Sequence, residues 1–286
     1  MQPGIRNCSK KRGMDPFNPD DLVALLAESQ ENLTASAYIR KISDHLGITR
    51  SRARKILTGL VNRQKVAYQS LYGATYVMEY FLKPVRITDR FYIAPPGIKN
   101  PAGPGALTIS IHQGISFGSG HHPTTRLCLE ALDHLFFTSP FSGSFPGNTA
   151  GDVGTGSGVL AIAACLAGMD TCTAWDIDPN AVSEARQNAA ASGLNSQISV
   201  IDDYMSPQNP PMALICANLR PPTLKQLASL FKTSLVPGGF LVLSGLRDWE
   251  KIDLLAVYRK LGFFLFWENT HKHWTGLALR LEADSA

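Results

Sequence analysis

The sequence predicts an α/β protein: a doubly wound, mainly parallel sheet with a small helical unit in front of it. Three observations predict this. A short apolar stretch ending in Asp152-Val153 runs into a glycine-rich turn and then into an apolar helix former. From residue 150 onward, strand-like and helix-like patterns alternate, as a parallel sheet with crossover helices requires. Ahead of that, residues 20–80 read as helices, a basic helix and a hairpin.

The chain has 286 residues, enough for one large or two small domains. Residues 1–19 are polar and carry Gly4, Gly13, Pro16 and Pro19, which predicts a disordered tail. In residues 20–80, Asp20 or Asp21 can cap a helix through Leu22–Leu26, and Ser36 can cap a second with Ile39, Ile42 and Leu46 on one face. Gly47 ends it. Thr49 can cap a third, whose Ala53, Ile56, Leu57 and Leu60 form the apolar face and whose Arg50, Arg52, Arg54 and Lys55 cluster near its start. Val66–Tyr80 alternates like a hairpin around Tyr72-Gly73. Residues 81–113 read as a connector, with strand-like Phe91–Ile93 and Leu107–Ile111 about a Pro/Gly loop.

From residue 114 onward the pattern is that of a larger domain, 114–286. A Gly/Ser/His loop, 114–122, enters an amphipathic helix carrying Leu127, Ala131, Leu132 and Leu135. Strand patterns follow at 149–153, 174–176, 198–201, 213–218 and 240–243, with helices between them and a turn at Val236–Gly239. Phe263–Trp267 and Trp274–Leu279 read as a terminal antiparallel pair.

The turn Asp152-Val153-Gly154-Thr155-Gly156-Ser157-Gly158 carries the chemistry. Its glycines let a ligand approach the backbone, and the helix after it presents unpaired N–H groups and a positive dipole end. The dinucleotide fingerprint Gly-x-Gly-x-x-Gly would place its third glycine at Val159, one residue later than the glycine observed. The spacing Asp-x-Gly-x-Gly-x-Gly instead resembles motif I of S-adenosylmethionine (SAM) methyltransferases, and with them a Rossmann-like sheet.

A second acid, Asp176, lies 18 residues after Gly158, close to the roughly 20-residue spacing that brings a carboxylate onto a ribose diol. Ile177 would lie against the adenine. Asp178 and Pro179 read as cap and first residue of the next helix. Asp202 or Asp203 either accepts from the adenine amino group or only ends its strand.

Composition excludes several classes. No run approaches the roughly 18 uncharged apolar residues of a membrane span, and no signal-peptide core follows Lys10-Lys11-Arg12. Five scattered cysteines (Cys8, Cys128, Cys165, Cys172, Cys216) lack metal-ligand spacing, so no metal site is expected. Free thiols fit a reducing cytoplasm. The net charge of +4 is asymmetric: residues 1–90 hold 15 Lys and Arg against 8 Asp and Glu. That excess predicts an acidic or nucleic-acid-bearing partner for the front half.

Two resemblances follow from these stretches. Residues 20–80, with Ile42–Leu60 at their centre, resemble a winged helix-turn-helix, which implies contact through residues 36–80 either with nucleic acid or the ribosome, or with protein. The stretches 116–132, 152–164, 175–189, 215–227 and 235–246, with a late Trp, closely resemble the PrmA family of methyltransferases of large-subunit ribosomal protein eleven. That resemblance implies SAM as cofactor and methylation of a Lys or N-terminal amine of a protein. It implies that Phe117, Gly118, Thr124 and Thr125 line the methyl-transfer pocket. Asn218 matches the family's Asn after the fourth strand, and either offers an oxygen to the amine or is a strand-end turn residue. The site expected is therefore Asn218, Phe117 and Thr124 for chemistry. For cofactor it is Asp152, Gly154, Thr155, Gly156, Gly158, Asp176, Ile177, Asp203, Thr125 and Asn218. His121 and His122 read as a general base or as loop packing, and Trp274 as an acceptor-site wall or a plain strand residue. The front unit departs from the family's small α/β front domain. Two alternatives therefore stay open: RNA or DNA methylation, and a nucleic-acid-binding regulator that senses SAM.

Overall fold

The computed structural model describes residues 17–27, 29, 33–71, 74–79, 84–98, 103–112, 122–138 and 148–283. The expected tail up to residue 16, the hairpin turn Tyr72-Gly73 and all of residues 114–121, with Phe117, Gly118 and His121, lie outside these residues.

The front unit comprises α1 (Pro19–Ala27), α2 (Ala35–Leu46), α3 (Arg50–Asn62) and an antiparallel hairpin, β1 (Val66–Leu71) and β2 (Ala74–Glu79). Its core is separate from the rest of the protein: Leu22, Leu25, Tyr38, Ile42, Ala53, Leu57, Leu60, Val66 and Val77 pack together. Two caps differ from expectation. The Asn18 side chain, not Asp20 or Asp21, accepts an N–H at the start of α1, from Asp20. Thr34, not Ser36, caps α2 by accepting from Ala37 N. Thr34 has extended backbone, so its side chain reaches back to the first turn. Thr49 caps α3 and Gly47 closes α2 in the left-handed region, as predicted. Tyr38 Oη donates to Leu22 O at 2.7 Å, and Val77 N donates to Leu33 O, so the helices and the hairpin are tied together.

The 81–113 stretch is more than a connector. β3 (Val85–Arg86), β4 (Phe91–Ala94) and β5 (Leu107–Ser110) form a small sheet. Its Phe91, Ile93 and Ile109, with Ile111 beyond β5, belong to the main core. These apolar side chains would be stranded in a solvated linker.

The main sheet contains β6 (Thr149–Val153), β7 (Thr171–Asp176), β8 (Ile198–Asp202), β9 (Met212–Asn218), β10 (Leu235–Arg247), β11 (Phe263–His271) and β12 (Trp274–Leu281). Their spatial order is β11-β12-β10-β9-β6-β7-β8, and β12 runs antiparallel to both neighbours. The expected turn at Val236–Gly239 is an irregular stretch within β10, where the register with β9 jumps between Leu235 and Phe240.

Helices cover both faces. α4 (Pro123–Asp133), α5 (Val159–Ala167) and α6 (Pro179–Ala191) pack with one core, and α7 (Pro221–Ser234) and α8 (Lys251–Lys260) with the other. Side chains of β9 alternate between the cores: Leu214 and Cys216 point to the first, Ile215 and Ala217 to the second. This is the period-two pattern of a strand buried on both faces. The winding reverses between β6 and β9, so a crevice opens at their C-terminal ends.

Candidate active site

At that crevice Asp152 and the glycine turn meet. Gly154, Gly156 and Gly158 have φ of 71°, 55° and 81°. At Gly158 an added Cβ would lie 3.2 Å from Ala185 Cα, so glycine answers both the left-handed backbone and the close approach of α6. Gly154 N and Thr155 N both donate to Trp175 O at 2.9 Å, which fastens the turn to the end of β7.

Asp152 is buried at the end of β6. It is 1% exposed, and its Oδ2 accepts from Thr155 Oγ1 at 2.6 Å and from Ala161 N at 3.1 Å. Through Oδ2 it therefore holds the turn and the first turn of α5, Thr155's hydroxyl is spent on the same bond, and Oδ1 is left without a partner. Burial pushes its pKa up from 3.8 to about 7.

Asp176 closes the other side. Its Oδ2 accepts from Gly156 N at 2.9 Å and its Oδ1 from Asp178 N at 3.0 Å. Each carboxylate oxygen keeps a lone pair for a hydroxyl. Ile177 stands beside it 56% exposed, an apolar surface open to a flat ring. Asp178 caps α6 by accepting from Asn180 N, so its role is structural. Asp202 pairs in register with Asp176, and Asp203 follows one residue beyond, its Oδ1 accepting from Tyr204 N at 2.7 Å.

The other wall comes from the N-terminus of α4 and the ends of β9, β10 and β12. Asn218 ends β9 opposite Ser244 of β10. Ser244 Oγ donates to Thr275 O, and Leu219 N donates to Ser244 O. Thr124 and Thr125 are both fully buried. Thr124 is engaged by His122, whose Nδ1 lies 2.7 Å from Thr124 Oγ1 and accepts from Thr124 N. Of the two threonines expected in the pocket, Thr125 alone has a hydroxyl without a partner.

His122 is the cap of α4 rather than a free base. Burial, and then the nearby Arg247 cation, push its pKa down to about 4. A neutral Nδ1 is required for it to accept from α4. Trp274 packs edge-on against His122 at 5.0 Å, and the Arg247 guanidinium lies over the Trp274 ring at 3.9 Å. Trp274 is thus half-buried in a stack at the mouth of the crevice.

Among the described residues, five buried side-chain polar atoms lack a hydrogen-bond partner: Thr108 Oγ1, Thr125 Oγ1, Asp152 Oδ1, Ser157 Oγ and Asn218 Oδ1. All but Thr108 belong to the elements around the crevice. An unpaired buried acceptor costs about 1–3 kcal/mol, so a cluster of them at a switch point marks a place completed by a ligand. The residues fit SAM: a carboxylate for a ribose diol, an apolar face for adenine, and a side-chain-free turn for the amino-acid end.

Sequence reasoning missed two contributors. Asn188 of α6 donates from Nδ2 to Ser157 O at 2.8 Å and accepts from His112 N at 2.8 Å. It joins the glycine turn to His112, two residues beyond β5. Nothing in its helical context distinguishes it. Arg247 was legible in principle, because it closes the strand next to Asn218's.

Known proteins resemble this chain along most of its length. The family described as "Ribosomal protein L11 methyltransferase (PrmA)" matches residues 19–282. A ribosomal protein L11 methyltransferase of Geotalea daltonii is 36% identical over 205 residues, covering 71% of this chain and 65% of that protein. That of Geotalea uraniireducens is also 36% identical, over 72% of this chain and 66% of its own length. The chain thus spans just under two thirds of the length of these relatives. A solved ribosomal protein L11 methylase from Lactobacillus delbrueckii subsp. bulgaricus has a TM-score of 0.61 at 24% identity, over 70% of this chain and 99% of its own. That likeness agrees with the fold described above. By its sequence from residue 19 to 282, the chain belongs to the PrmA family of ribosomal protein L11 methyltransferases.

Proposed function

We propose that this chain transfers a methyl group from SAM to amino groups of a protein, a Lys or an N-terminus, with ribosomal protein L11 as the first target to test. The observation that carries it is Asn218 Oδ1, buried and without a partner at the end of β9, as is the Thr125 hydroxyl in the first turn of α4. The relatives named as L11 methyltransferases supply the target. Gly154–Gly158, Asp176, Ile177 and Asp203 would hold the cofactor, and Thr125 would border its reacting end. Bound there, SAM supplies an activated methyl group on a sulfonium.

The protein's own work is positional. An acceptor amine must be neutral before its lone pair can attack, and its pKa in water is about 10.4 for Lys and about 8 for an α-amine. Asn218 Oδ1 accepts one amine N–H and aims the lone pair away from itself. The dry wall of Trp274, and the Arg247 cation stacked on it, disfavour an ammonium, as they already do at His122. The proton leaves to solvent through the open side. After Asn218 come Leu219-Arg220-Pro221, and α7 starts at Pro221. The Asn/Asp-Pro-Pro-aromatic run of nucleobase amino-methyltransferases is absent, which favours a protein amine.

In this proposal 20–80 is a recognition unit like a winged helix, and residues 36–80 make the contact with ribosome or nucleic acid. The test is transfer of labelled methyl from SAM to L11 of the source organism and to total protein and nucleic acid. Label in L11 is expected. Label confined to RNA or DNA overturns the amine reading.

A further inference from the structure

α3 carries a charge pattern that its own fold does not need. Between Leu33 and Met78 the sequence holds eight Lys and Arg against one acid, Asp44. From Thr49 to Lys65 it holds no acid at all. Arg50 and Arg52 occupy the first turn of α3, where the helix dipole disfavours cations. Arg54 and Lys55 follow at once, so like charges crowd one short surface. Ala53, Leu57 and Leu60 already bury the inner face. Cations there therefore cost the isolated protein stability and return no packing.

Their placement is specific. At 100° per residue, Ser51, Thr58 and Asn62 fall within about 40° of each other along the outer midline. Arg54 lies on one flank of that line, and Lys55 and Arg52 on the other. All six are exposed. No ion pair involves Arg52, Arg54 or Lys55 among the described residues. The outer face is thus a row of short hydrogen-bonding side chains between two rows of cations.

A groove with phosphates on both rims and base edges on its floor has the complementary pattern. A single strand offers one row of phosphates, and would not call for cations on both flanks. The A-form major groove is too narrow for side chains to read, whereas the B-form groove, about 12 Å wide, admits a helix. The hairpin β1–β2 follows α3 directly, with Tyr68 half exposed on it.

We infer that the outer face of α3 is a docking surface for B-form duplex DNA, with Arg52, Arg54 and Lys55 on the phosphates and Ser51 and Asn62 toward the base edges. The inference rests on reading residues 36–80 as the partner-contacting unit and is independent of the methyl-transfer chemistry. It would tether a protein methyltransferase to DNA, and so favour acceptors that are themselves held there.

The test is fluorescence anisotropy of the full chain with a labelled 20-base-pair DNA duplex, the same sequence as an RNA duplex, and its single strand, across a salt series. Tighter binding to duplex DNA is expected, with log K falling linearly in log salt. The variant R52Q/R54Q/K55Q changes exposed side chains only, so its SAM binding should be unchanged. Its salt slope should fall by about 3, roughly one for each phosphate no longer neutralised. Asn62→Ala should alter the ranking of different duplex sequences and leave the slope alone. Absence of duplex binding at low salt overturns the inference. So does unchanged affinity in the triple variant, or tighter binding to the RNA duplex or the single strand. Methyl transfer to L11 is scored separately, so either reading can fail alone.

Discussion

Asp152 makes a sharp test of how the glycine turn is held. Its carboxylate is buried, one oxygen bonded to Thr155 Oγ1 and Ala161 N, the other without a partner. Burial is the largest cause of its raised pKa, about 7 against 3.8 when exposed. The folded state therefore prefers the protonated acid. The stability this group contributes is complete below pH 3.8 and is lost as pH rises through about 7. Between pH 5 and pH 8 the loss amounts to about 2.5 kcal/mol.

Asp152→Asn keeps an acceptor for Thr155 and Ala161 and removes the titration. The amide carries its own cost, but that cost does not vary with pH. The decisive quantity is therefore the change, between pH 5 and pH 8, in the stability difference from the parent chain. The variant should gain about 2.5 kcal/mol on the parent over that interval, or about 5–8 °C in Tm. Urea unfolding without SAM, followed by tryptophan fluorescence, suits the measurement. All four tryptophans, Trp175, Trp249, Trp267 and Trp274, lie beyond the front unit, so the signal reports the larger unit alone. Parallel pH profiles for parent and variant would refute the reasoning, because they would mean that water reaches the second oxygen.

His122 has the opposite sign. Its pKa is lowered to about 4, so its contribution is present above pH 6.5 and lost as pH falls toward 4; His122→Asn should remove up to about 3 kcal/mol of acid sensitivity, read by the same urea series. Asp176→Ala deletes two charge-assisted acceptors and frees Gly156 N and Asp178 N, so calorimetry should show SAM affinity falling about a hundredfold. Asn218→Ala should leave SAM affinity within about twofold and lower kcat by about a hundredfold, as removal of one transition-state contact does. Asn188→Ala orphans Ser157 O in the buried turn and frees the His112 N–H, which should cost about 2 kcal/mol in the same unfolding measurement.

Much of this site was legible because its parts are periodic or punctuated. The glycine spacing placed the turn, and a βαβ distance placed Asp176 on the facing strand. The order of strands and helices gave the sheet its winding. Other features depend on contacts that spacing does not encode. Asp152 and Asp176 both lie at the C-terminal ends of apolar strands, and in sequence they look alike. One is buried and takes Thr155 and Ala161 as donors on a single oxygen, and the other, on the next strand, takes one backbone donor on each oxygen. Thr124 and Thr125 differ only in whether His122 reaches them. The Val236–Gly239 stretch has turn residues, and it is where β10 loses register with β9 before pairing resumes at Phe240. The 81–113 stretch shows its two strand-like runs in sequence, but its apolar side chains find the main core only in three dimensions.

The unpartnered atoms carry a further consequence. Asp152 Oδ1, Ser157 Oγ, Thr125 Oγ1 and Asn218 Oδ1 come from β6, the glycine turn, α4 and β9, elements brought together only at the reversal of strand order. A chain selected for stability alone would have replaced each with an apolar side chain of similar size, at a gain of order 1 kcal/mol apiece. That this cost is concentrated at one crevice ties the cofactor turn and the acceptor wall to one ligand-bound state. Ligand binding should then stabilise the larger unit and leave the melting of the front unit unmoved, because α1–α3 and the hairpin share no core with the crevice. A two-step thermal profile in which SAM shifts only the tryptophan-reporting step would bear this out. A common shift of both steps would show that the front unit senses the cofactor, and would couple its basic helix to the chemistry.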